Sequence, residues 1–214
     1  MFNLFFIASF IIIIPAVIAV LRYPVMDETF KPLAYNLWIG LFAEVLGYIG
    51  RITIKNNLYV FNIFMYLDFV TFLWLFFNWG AFKNLHRKII TWAFIFFTVL
   101  WVFDNLVLHD PGGKNFIFRI CYSLVLLLIA IDQMNQVVIK SSHSLKFNPY
   151  LYIILGIIFY YSYSIFISLF NSPLFHPSAQ LWKWNMLIYV IINVGTNLLF
   201  AISLLWMRKK MKFI

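Results

Sequence analysis

Apolar and polar positions alternate along this chain in long blocks rather than at the two-residue period of a strand. Seven apolar runs cover roughly residues 2–21, 33–50, 58–82, 89–108, 116–139, 149–171 and 185–207. A helix that crosses a bilayer needs about 20 mostly apolar residues, and each run is near that length. The links between them are short and polar, as in Arg51-Ile52-Thr53-Ile54-Lys55-Asn56-Asn57. Turn chemistry marks Asp110-Pro111-Gly112-Gly113 and Asn171-Ser172-Pro173. The pattern predicts an all-α integral membrane protein, one seven-helix transmembrane domain over residues 1–214.

The first run differs from a cleaved signal peptide. No basic residue precedes Arg22, and no small-residue cleavage pattern follows the run. It reads as a retained helix with its N-terminus outside, kinked at Pro15. Basic residues set the rest of the orientation. With the N-terminus outside, the inner side collects eleven of them, from Arg22, Lys31, Lys83, Arg87 and Lys88 to the C-terminal Arg208–Lys212. The outer side holds five: Arg51, Lys55, Lys114, Lys183 and, inside its helix, Arg119. Trp79, Trp92 and Trp206 are expected at the inner interface, Trp182 and Trp184 at the outer one.

Composition agrees with this picture. Of 214 residues 64% are hydrophobic and 11% charged, whereas soluble domains carry about 25% charged residues. So much apolar surface cannot all be buried in a small water-soluble core, which leaves lipid as the solvent. A net charge of +9 would suggest nucleic acid in a soluble protein, but here most basic residues flank apolar runs, so nucleic acid is not a partner. Cys121, the one cysteine, lies within an apolar run and reads as a packing thiol.

Chemistry enters with the polar residues inside the runs. Glu44 and Asp68 each place an acid where a membrane helix should carry none. Such a group costs about 2.5–3.5 kcal/mol on insertion scales, so it turns to a partner or a wet cavity. At 1.5 Å per residue, Glu44 is expected about 10 Å and Asp68 about 15 Å from the outer side. Arg119 lies near the outer end of the fifth run, where it is expected either to pair with Glu44 or to reach the headgroups. Asn193 and Asn197 share one face of the seventh run, and Gly156, Tyr160, Ser164 and Ser168 recur at four-residue steps on the sixth. Two readings stand side by side. The polar groups are interhelical glue, or Glu44, Asp68, Arg119, Tyr160, Ser164, Asn193 and Asn197 line a binding chamber that opens outward. Asp104 is expected at the interface, and Asp132, Asn135 and Gln136 on a solvated helix end.

Several functions fail on chemical grounds. A retinal protein needs a lysine in mid-membrane on its last helix, and none lies between Asn185 and Met207. A seven-helix zinc hydrolase needs intramembrane histidines, whereas His86, His109, His143 and His176 all fall in loops. A Gly-x-Ser-x-Gly elbow and the Gly-x-Gly-Asp of intramembrane aspartyl proteases are both missing. A three-plus-one-plus-three sugar transporter would match the helix count, but the two halves share no prolines or polar positions. Nothing in the pattern implies a metal or a cofactor.

The run Glu44-Val45-Leu46-Gly47-Tyr48-Ile49, then Asn56-Asn57-Leu58-Tyr59, Asn62 and Asp68, resembles a group of small seven-helix membrane proteins of Bacteroidetes whose function is not established. The resemblance extends from Pro32 to Lys209. It departs at Asp68, where that group would carry Glu, and at Pro149-Tyr150-Leu151, where it would carry Phe-Trp-Ile. It implies a cell-envelope membrane protein working beside signalling proteins, and assigns no chemistry to any residue.

The sequence thus leads to a multi-pass protein of the inner membrane, in contact with the lipid bilayer. Its expected role is a sensor or ligand-binding module for a lipid-like or aromatic molecule, acting through a signalling partner at the cytoplasmic face. The alternative is an enzyme or carrier for a lipid or small solute, with Glu44 and Asp68 dividing acid and base roles.

Overall fold

The structure, a computed structural model, describes residues 8–82, 87–108, 116–140, 148–170 and 178–207. The loop histidines, Lys114, the turns at 110–113 and 171–173, and the C-terminal basic run lie outside these residues. Among the described residues every regular element is helical: α1 (Ile13–Arg22), α2 (Lys31–Thr53), α3 (Leu58–Asn78), α4 (Arg87–Val102), α5 (Ile117–Lys140), α6 (Pro149–Phe170) and α7 (Ala179–Trp206). A π-helical segment, Phe103–Leu108, continues α4. The six helices from α2 onward are long and apolar enough to cross a membrane, whereas the first described segment, Phe10–Val25, is a shorter apolar helix.

Local chemistry fixes the ends, and several differ from the limits of the apolar runs. Ser178 accepts a hydrogen bond from the Leu181 amide (3.3 Å), so α7 starts at Ala179 rather than 185 and carries Trp182 and Trp184 inside the helix. At α3 the Gly80 amide reaches the Phe77 carbonyl and the Ala81 amide the Phe76 carbonyl, both at 3.0 Å. With Gly80 at φ 78° this is a Schellman stop, so the helix ends at Asn78 although the apolar run continues to Phe82. Pro15 is the third residue of α1 and lies within the continuous helical segment Phe10–Val25, directly after the 3-10 turn Phe10–Ile12 where the α-helical winding is interrupted.

The helices pack as a closed ring. Sequence neighbours α1, α2 and α3 lie side by side, as do α5, α6 and α7; α3 meets α5, and α7 meets α1. Single bonds pin these seams: Trp38 donates to the Ala16 carbonyl, Arg22 to Leu205 and Ser203 to Pro149. α4 stays outside the ring, held to α3 by Trp101 bonding the Asn62 carbonyl (3.0 Å) and by a Tyr66–Thr98 bond (3.0 Å). Residues such as Val17, Phe42, Ile63, Phe96, Phe159 and Ile191 face outward. Lipid can cover them, as it does in a polytopic membrane protein.

Because lipid is as apolar as leucine, helix association here rests on close approach and polar contacts. Gly156 lets α7 press against α6: a Cβ there would lie 2.8 Å from the Phe200 ring. One end of the ring is plugged by aromatics. Tyr150 lies 4.6 Å from Phe30 and 4.9 Å from Trp79, centroid to centroid, and Trp79 lies 5.8 Å from Phe76. At the opposite end, where α2 turns into α3, the described residues leave a cleft beside Arg51, Asn57 and Trp182.

Candidate functional site

That cleft leads into a chamber of about 670 Å³ between residues 8–12, which precede α1, and helices α2, α3, α5, α6 and α7. Its mouth is marked by Arg51, Asn57 and Trp182, its floor by Phe72, Ile157 and Phe200. On α2 the stripe Asn36, Gly40, Glu44, Gly47 and Arg51 recurs at three- and four-residue steps, so one helical face supplies a whole wall.

Asp68 lies at the deep end, only 4% exposed, and ties four helices together. Asn36 of α2 donates to Oδ1 at 2.8 Å; Tyr161 of α6 and Tyr122 of α5 donate to Oδ2 at 2.6 and 3.4 Å. The same Asn36 amide also reaches the Thr71 hydroxyl at 2.8 Å. An acid so held satisfies its own lone pairs and the amide and hydroxyls that would otherwise be orphaned in the bundle.

Glu44 is half-buried on the same wall as Asn36, with Ser9 as its hydrogen-bond partner. Eight residues of α2 separate it from Asn36, which touches Asp68, so the two acids are staggered by about 12 Å along the bundle. That exceeds the difference of about 5 Å between their depths expected from the apolar runs.

Arg119 enters from α5 on the far side. Its Nε donates to Ser164 Oγ of α6 (3.1 Å), Ser123 joins the same hydroxyl (3.3 Å), and Tyr189 of α7 is a further partner. The expected ion pair with Glu44 is not formed: no ion pair joins these two described residues. Register explains this. Arg119 is one turn from Tyr122 and so lies near the level of Asp68, while Glu44 lies two turns nearer the mouth, on the α1–α2 side.

The other polar residues divide. Tyr160, Asn193 and Asn197 line the chamber, and Asn197 donates to the Asn193 carbonyl at 2.9 Å. Ser168 lines it too, while donating to the Ser164 carbonyl at 2.6 Å. Asp104 is fully buried within the protein and caps α5 by accepting from the Phe118 amide at 2.9 Å. Asp132 and Gln136 do lie on an exposed face and bond each other at 2.8 Å. Cys121 packs half-buried against the core.

Sequence reading missed Asn36, Tyr122, Tyr161, Thr196 and Tyr189. Asn36 carried a usable signal, the small-and-polar stripe that also holds Glu44. The tyrosines carried none, since a membrane chain with twelve of them gives no reason to single out three. No family model, no curated protein and no solved structure matches the chain.

Proposed function

We propose that this protein is a membrane-embedded binding module that takes up a small molecule in the ring of helices and passes its occupancy to a partner protein. The chamber carries this reading: about 670 Å³, closed at one end by aromatics, with polar side chains converging from five helices onto largely apolar walls. Binding sites between helices of bundles have this size and make-up. The excess of basic residues at the plugged end supports an inner-membrane orientation with the chamber facing outward and the partner at the cytoplasmic side. The sequence resemblance to envelope proteins working beside signalling proteins agrees with such a role. An acid–base pair is the weaker reading. Direct proton sharing reaches about 3 Å, or about 6 Å through one water, and the stagger between Glu44 and Asp68 is larger.

The test is ligand retention. Protein extracted from native membranes in mild detergent should carry a bound small molecule detectable by native mass spectrometry. Asn193→Trp, which fills the chamber, should lose it while remaining monodisperse. Identical spectra for the two proteins would sink the reading.

A further inference from the structure

Two opposite charges face this chamber without meeting. Glu44 stands on the α1–α2 wall beside Ser9, and Arg119 on the α5–α6 wall against Ser164. In the ring order these two seams are diametrically opposed. Neither side chain has an ion-pair partner within 4.0 Å among the described residues. The other acid of the chamber, Asp68, is already engaged by Asn36, Tyr161 and Tyr122. Arg51 belongs to the mouth, two turns beyond Glu44, and is exposed.

A guanidinium cannot lose its charge to escape a desolvated site, so an anion that reaches it gains a strong, geometrically specific contact. A carboxylate on the opposite wall attracts a cation by the same logic. Phe61, Phe64, Tyr160 and Tyr189 line the same chamber. Aromatic faces suit both apolar groups and an ammonium. Resting on the binding-module reading above, we infer that the ligand is a zwitterion with separated charges and an apolar middle, of the chemistry of a short aromatic peptide. Its carboxylate lies on Arg119 and its ammonium on Glu44. Glu44 stands about two turns, roughly 11 Å, nearer the mouth, and an extended peptide gains about 3.5 Å per residue, so about three residues separate its end charges by that much and call on both walls, where an anion or a cation alone calls on one.

Three probes that differ only in their ends test this: Phe-Phe-Phe, its N-acetyl derivative and its C-terminal amide. With the purified protein in detergent, Phe-Phe-Phe should bind about ten- to a hundredfold tighter than either blocked form, the loss expected when one charged hydrogen-bonded contact goes. Glu44→Gln should remove the penalty on the N-acetyl form, and Arg119→Gln the penalty on the amide. The ranking on the wild-type protein needs no variant, so a misfolded Arg119→Gln would not shelter the inference. Equal affinity for all three overturns the zwitterion while leaving a binding chamber. Tight binding of one blocked form alone overturns it in favour of a singly charged ligand. If none of the three binds while the native-membrane protein retains another molecule, the ligand class is wrong and the chamber stands; if neither occurs, both readings fall.

Discussion

Arg119 keeps its charge in a setting where a lysine could shed one, and its contacts are therefore the residue-scale feature most open to measurement. Its Nε bonds Ser164, not Glu44. In ligand-free detergent, Arg119→Ala and Ser164→Ala should couple by about 0.5–1.5 kcal/mol in a double-mutant cycle read by thermal unfolding, the size of a typical net hydrogen bond. Arg119→Ala and Glu44→Gln should add to within about 0.3–0.5 kcal/mol, as sites without a shared contact do. Coupling in the second cycle and none in the first would reverse the assignment. At this scale the sequence was informative where a residue type is costly. Glu44, Asp68 and Arg119 declare themselves by being charged in apolar runs. Their partners do not, because which tyrosine meets Asp68 depends on how helices far apart in the chain are rotated, and no local pattern records that.

Helix-scale packing narrows to one contact at the chamber floor, where Phe200 of α7 rests on Gly156 of α6. A Cβ at Gly156 would meet the ring at 2.8 Å, tighter than real contacts allow. Gly156→Leu should therefore push Phe200 toward the chamber, lower stability by about 1–3 kcal/mol as overpacking does, and weaken retention of the bound molecule. Thermal unfolding and native mass spectrometry on one preparation check both; retention unchanged at lower stability would detach the floor from binding. The apolar runs gave the number and order of the helices from α2 onward, since each run can satisfy its backbone in lipid only as a helix. They did not give the ends, which Ser178 and Gly80 decide through single hydrogen bonds and a left-handed residue. Nor did they reveal Asp104. It lies in the π-helical segment that continues α4 and accepts from the Phe118 amide, and π segments leave little trace in hydrophobic period.

For the whole molecule, the sequence could tell helices but not which of them would close on which. α4 reads like any other span, yet it stands outside the ring, while α1, the shortest, is part of the wall. Orientation belongs to this scale too. A reporter fused after Ile214 should be active only in the cytoplasm, and one inserted in the Arg51–Asn57 link only outside; periplasmic activity of the first would invert the chamber. The seam between α1 and α7, pinned by Arg22 on the Leu205 carbonyl, also sets an order in time. During synthesis α1 is made long before α7 exists. Until α7 arrives, the ring is a trough whose open side would hold Glu44, Asp68 and Arg119 toward lipid. Nascent chains halted before Ala179 should therefore be the form that insertion chaperones hold and membrane proteases remove, which makes completion of the wall the point at which the protein becomes durable.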